Sequence, residues 1–197
     1  MPLRGLGGTG IPLAAGVPDP VFANTRMYEI TLGEFTDVLH PAMGPTKLRG
    51  YWDTTAGVKR HLGGLVIATK GTAARLRFTN ALPTGKSIIP NDPTVQTIPG
   101  QPTTENRTAT HLHGGFVPWI SDGGPFDWFT PGDATGQSFL NNSFLPAGTV
   151  EPAGVANFWY PNAQSGRLMW YHDHAFGITR INAYAGLASG YVIRDYA

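Results

Sequence analysis

Short runs of alternating apolar and polar residues, closed by glycine or proline, constrain this 197-residue chain more than any other feature. MYEITLGEFTDVL from Met27 and ARLRFTN from Ala74 alternate with a period of two, which puts one face of a strand in a core and the other in solvent. GYWD from Gly50, GLVIA from Gly64, NFWYP from Asn157, RLMWYH from Arg167 and ASGYVIRD from Ala188 have the length and the aromatic or β-branched content of further strands. The 26 Gly and 17 Pro supply turns between them and argue against a helix bundle. Strands at such spacing predict an all-β sandwich or barrel with long loops. AFGITRINAYAGL, after His174, has the pattern of a short helix or turn.

The length suits one domain. Residues 1–26, rich in Gly and Pro, are expected to form an irregular N-terminal arm, and residues 27–197 a single domain. Charged residues make up only 14% of the chain, which argues against disorder. The net charge is +1 and the basic residues are scattered, so no nucleic-acid or membrane-surface patch is expected. The apolar run from Ile11 to Ala15 is too short and too broken by Pro12 for a signal-peptide core. No stretch approaches the roughly 20 apolar residues of a membrane-spanning helix. With no cysteine, disulfides, thiolate nucleophiles and Cys-ligated metals are excluded, so a metal would need imidazole and oxygen ligands.

Four of the six histidines stand in two doublets, His111-Leu112-His113 and His172-Asp173-His174. Residues i and i+2 of a strand share a face, so two such strands side by side would turn four imidazoles toward one small volume. A single doublet is more readily a pair of packed or solvated rings. Two doublets beside aromatics favour a metal, with copper, iron and zinc all compatible with nitrogen ligands. His40 and His61 stand alone and are expected to be structural or solvated. Gly114 and Gly115 permit close approach behind the first doublet. Asp122 is either an Asx-turn residue ahead of Gly123-Gly124 or a carboxylate that orients and protonates groups near the metal.

THLHGGFVPWISDG together with LMWYHDHAFGITRINAYAGLASGYVIRD resembles the first cupredoxin domain of a multicopper oxidase, closest to the bacterial group of spore-coat laccases, bilirubin oxidases and phenoxazinone synthases. The resemblance runs from about Tyr28 to Asp195 and implies a cupredoxin-like Greek-key β-barrel, usually present in three copies per chain. It further implies copper: a trinuclear centre of one type 2 ion and a type 3 pair, held by eight histidines in four His-x-His motifs, two of them from the first domain. Carried onto this chain, His111 would hold the type 2 copper, His113 and His172 one type 3 copper, and His174 the other. Asp122 matches a carboxylate kept near that centre for proton supply.

The departures are informative too. A type 1 copper needs a thiolate, and this chain has no cysteine and lacks the other two His-x-His motifs. The resemblance therefore implies that type 1 copper and later domains are absent from this chain. A nicked fragment, a subunit of a split oxidase and an isolated domain all fit such a sequence. The implied function is oxygen reduction to water while a small phenol- or diamine-type aromatic is oxidised at a type 1 copper elsewhere, with the C-terminal remainder, or a second copy of the chain, as partner. The alternative is a lone cupredoxin domain that binds copper without turnover. A cupin-type enzyme is disfavoured because no Glu follows the first doublet, and a hydrolytic zinc site because Ala175 and Phe176 follow the second.

Overall fold

The computed structural model describes residues 10–92 and 104–196, in which nine strands form two sheets. The first sheet holds β1 (Val17–Pro18), β2 (Thr25–Asp37), β3 (Thr46–Asp53), β5 (Ala73–Ala81) and β7 (Val155–Tyr160). The second runs in the order β4 (Val66–Thr69), β9 (Ala188–Arg194), β8 (Arg167–Asp173) and β6 (Thr110–His113). Antiparallel pairs dominate, with two parallel ones, β2 with β5 and β4 with β9. Pro18, which has no N–H to give a ladder, sits on the two-residue edge strand β1.

Alternation along the strands builds the core between the sheets. Ile30 and Leu32 of β2, Leu76 and Phe78 of β5 and Phe158 and Tyr160 of β7 face Leu112 of β6, Met169 and Tyr171 of β8 and Tyr191 and Ile193 of β9. Aromatic rings join the layers edge to face: Tyr51 of β3 meets Tyr171 at 4.8 Å, and Tyr160 meets Tyr191 at 5.7 Å. Each such pair adds about 0.5–1.5 kcal/mol beyond area burial. Tyr171 also donates its hydroxyl to the Gly64 carbonyl at 2.7 Å, so its polar end is satisfied inside the core.

Every strand expected from the sequence is present. Residues 10–24 are tied to the sandwich, with the Ala14 N–H donating to the Leu65 carbonyl at 2.9 Å and β1 pairing with β2, while residues 1–9 of the expected arm lie outside the described residues. The long stretch after Gly114 carries one 3-10 turn, Trp119–Ser121, before β7 begins. It is nevertheless packed, since Trp128 and Phe129 are buried and Phe129 bridges to Thr108. AFGITRINAYAGL contains a helix, α1 (Thr179–Ala185), which stops at Gly186 in the left-handed conformation, φ 116°. A Cβ at Gly186 would overlap the Arg49 carbonyl, so helix end and close approach both require glycine there. Among the described residues no helix is long and apolar enough to cross a membrane.

Candidate metal centre

β6 and β8 are neighbours, and their register sets the two doublets against each other. His111 stands opposite His172 and His113 opposite Trp170, while Leu112 opposite Tyr171 points the other way, into the core. Antiparallel pairing thus delivers His111, His113, Trp170 and His172 to the outer face of the second sheet. His174 lies one residue past the end of β8 but stays with the cluster, because its N–H donates to the Ala109 carbonyl at 2.6 Å. Ring centroids are 5.6 Å apart for His111 and His172, 5.1 Å for His111 and His174, and 5.5 Å for His113 and His172.

Hydrogen bonds fix which nitrogen is free on two of the four rings. A carbonyl oxygen only accepts, so His111 Nδ1, 2.6 Å from the Asp122 carbonyl, and His172 Nδ1, 2.7 Å from the Asp173 carbonyl, carry the protons. Nε2 of both rings is left as a lone pair, the arrangement by which outer-shell acceptors orient metal-binding imidazoles. His172 Nε2 faces His113 Nδ1 at 3.3 Å. Two nitrogens bound to one ion at the usual length of about 2.0–2.1 Å span a similar separation. His174 Nδ1 is buried with no hydrogen-bond partner among the described residues. Burial pushes the His172 pKa below the ordinary imidazole value against the pull of the Asp173 carbonyl, and the three neighbouring imidazoles push it lower. The ring is thus held neutral, the form in which imidazole binds metal.

The donor set and its lone pairs fit a borderline metal such as copper. Among the described residues, however, no three His, Asp or Glu side chains are gathered closely enough to hold an ion by themselves. His111 has the other three rings at 5.1–5.9 Å, but the close contact between ring nitrogens is that of His113 with His172 at 3.3 Å.

Asp122 follows the 3-10 turn beside His111. Its carbonyl accepts a hydrogen bond from His111 Nδ1–H, and its half-exposed carboxylate lies 3.4 Å from the same nitrogen. The Gly124 N–H, which an Asx turn at Asp122 would use, is instead donated to the Asp127 carboxylate at 2.9 Å. Gly123, at φ 70°, is required here because a Cβ would overlap the Thr110 carbonyl at the start of β6. His40 and His61 make no ring contact with the cluster among the described residues; His40 Nδ1 accepts the Ala42 N–H in a local turn.

Two contributors escape reasoning from residue type. Trp170 stacks on His172 at 4.1 Å and on His113 at 5.3 Å, which holds two imidazoles against one indole. Its place on the outer face follows from counting back two from His172. Asp173, between the histidines of the second doublet, is fully buried, and burial raises its carboxyl pKa against several hydrogen bonds that lower it. Only an acid at an inward position of a strand hinted at it.

No protein-family model matches the chain. It is 36% identical to the multicopper oxidase LPR1 homolog 1 of Oryza sativa subsp. japonica over 95% of its own length, and 34% identical to a laccase of Bacillus subtilis over 85%. The chain spans 29% of the length of each of these relatives. A multicopper oxidase of Pediococcus acidilactici superposes on 99% of the chain with a TM-score of 0.57 at 20% identity, and the chain covers 32% of that structure.

Proposed function

The chain belongs to the multicopper oxidase family, and from that premise we propose that it is the N-terminal cupredoxin domain, made of residues 27–197 together with the segment from residue 10, which pairs into the first sheet rather than standing apart as an arm. The domain supplies half of the histidines of a trinuclear copper centre. His111 holds the type 2 copper, His113 and His172 share one type 3 copper, and His174 holds the other. The observation that carries this assignment is the register of β6 and β8, which opposes His111 to His172 and leaves both Nε2 lone pairs directed away from their carbonyl partners. The facing nitrogens of His113 and His172 support their sharing one ion.

Copper bound there supplies the reduction of dioxygen to two waters by four electrons drawn from a small phenol- or diamine-type aromatic at a type 1 copper outside this chain. The residues of this chain do the rest. His111 and His172 keep their protons on Nδ1 and present neutral Nε2 atoms. Trp170 covers the His113 and His172 rings on one side. Asp122, half exposed beside His111, takes protons from solvent on its carboxylate and passes them inward.

Because no three of the described His, Asp or Glu side chains are gathered closely enough to hold an ion, the remaining ligands come from a partner, the C-terminal remainder of the oxidase or a second copy of the chain. Exposed Leu168 and Trp170 on the same outer face suit such a covering partner. The test is oxygen uptake by the oxidase assembled with its remaining domains. His113→Ala and His172→Ala are expected to abolish uptake while the blue colour of the partner's copper survives. Undiminished uptake in either variant contradicts the proposal, and copper binding without uptake in every assembly identifies a domain that binds copper without turnover.

A further inference from the structure

The imidazoles account for the outer face of β6 and β8 but not for the carboxylate beneath it. Asp173 is wholly buried and its two oxygens accept four hydrogen bonds. Oδ1 takes the Thr108 hydroxyl and the Ala109 N–H, both at 2.8 Å, from the segment leading into His111. Oδ2 takes the Ala175 N–H at 3.3 Å, just beyond His174, and the Asn182 amide at 3.1 Å, from α1.

Asn182 is itself fixed, since its Oδ1 accepts Arg49 Nη1 of β3 at 2.7 Å, and the same guanidinium reaches Glu34 of β2. One side chain therefore ties the entry to the first doublet, the exit from the second, the helix and, through Arg49, the first sheet. A buried carboxylate so fully partnered is costly to disturb, because removing its acceptor strands several buried donors at once.

We propose that Asp173 is a positioning residue that sets the spacing between the two histidine doublets, and so the separation of the paired imidazoles that receive the metal. The proposal rests on the copper assignment for its consequence, but the spacing itself is a property of the metal-free chain. An amide at residue 173 must turn its NH2 toward one of the two donor pairs, whichever way it flips. Asn at residue 173 with Asp at residue 182 restores a donor facing an acceptor between these two side chains and keeps an acceptor for Arg49.

The test compares the chain with Asp173→Asn, with the reciprocal pair Asp173→Asn and Asn182→Asp, and with Thr108→Val, which withdraws one donor at nearly constant volume. Two measurements are made on each: ring nitrogen correlation spectra of the metal-free protein, and copper affinity with the Cu(II) paramagnetic resonance spectrum. Asp173→Asn is expected to mix the fixed Nδ1–H form of His172 with its other tautomer and to weaken copper binding about 10–100-fold, the range for partners that orient a ligand. Thr108→Val does the same more mildly, and the reciprocal pair recovers most of the loss, as expected for directly coupled residues.

A residue that merely stabilises the fold would lower the melting temperature and leave the ring spectrum and the resonance of bound copper unchanged. Unchanged ring spectra in both Asp173→Asn and Thr108→Val overturn the proposal. If Asp173→Asn does not fold, Thr108→Val and the reciprocal pair decide alone. Failure to bind copper at these histidines both alone and in the oxidase assembled with its remaining domains overturns the copper assignment instead, and the metal-free spectra still decide the role of Asp173.

Discussion

The inner and outer faces of the second sheet are made by the same strands and could hardly differ more. On the inner face Leu112, Met169 and Tyr171 are buried among aromatics, and the Tyr171 hydroxyl and Asp173 carboxylate have their partners. On the outer face, one residue out of step, the rings of His111, His113, Trp170 and His172 lie against one another, and the ring nitrogens of His113 and His172 face each other at 3.3 Å. The inner face is finished by this chain; on the proposed assignment the outer face is finished by copper and a partner. Strand alternation lets seven residues of β8 hold the fold together and display a binding site at the same time.

Substitutions on each face should separate these duties. Tyr171→Ala removes a fully buried ring and is expected to cost about 3–5 kcal/mol in urea unfolding. His113→Ala, on the exposed side of the same strand pair, should change stability by no more than about 0.5 kcal/mol while copper binding falls sharply. A stability loss in His113→Ala comparable to that in Tyr171→Ala would erase the distinction between the faces.

Acid should distinguish binding from folding by a smaller but cleaner effect. The His172 pKa lies below the ordinary imidazole value because the ring is buried, so it stays unprotonated somewhat below pH 6.5. The unfolded chain binds a proton there first, so stability of the metal-free protein declines as pH falls from about 6.5 through the lower folded value. Carboxylates of the framework respond in a second, more acidic window. Asp19 is held below the usual carboxylate range, because its hydrogen bonds from Arg75 and from the Val21 and Phe22 amides outweigh the opposing effect of burial. Its contribution is complete above about pH 4 and is lost as pH falls through the folded value. Copper release monitored against circular dichroism should therefore precede unfolding on acidification, and Asp19→Asn should flatten only the lower window. Simultaneous loss of both signals would contradict this order.

Much of this was legible in the sequence, and the reason is periodicity. Alternating runs such as that from Ala74 mark strands because burial on one face is a local property of the pattern, and the same rule placed His111 and His113 on one face, whereas His174, past the end of β8, is kept beside them by its N–H bond to Ala109. What was not legible depends on register and on distant partners. Nothing local says that His111 lies opposite His172 rather than opposite Trp170, since a slip of two residues along β8 keeps every face unchanged. Asp173 was hidden for the same reason, because its donors on Thr108 and Ala109 lie 65 and 64 residues away and that on Asn182 comes from the helix nine residues on. Asp122 was seen as a candidate, but its carbonyl contact with His111 comes from the backbone, to which residue type is blind.

The central claim is that the two doublets form one copper-binding face. Native mass spectrometry of the chain titrated with copper, alongside His113→Ala, His172→Ala and the variant lacking all four imidazoles, tests it most directly. The account predicts discrete copper adducts on the unsubstituted chain, fewer in each single variant, and none above background when all four rings are removed. Equal copper uptake by the chain and by the variant without the four histidines would contradict it.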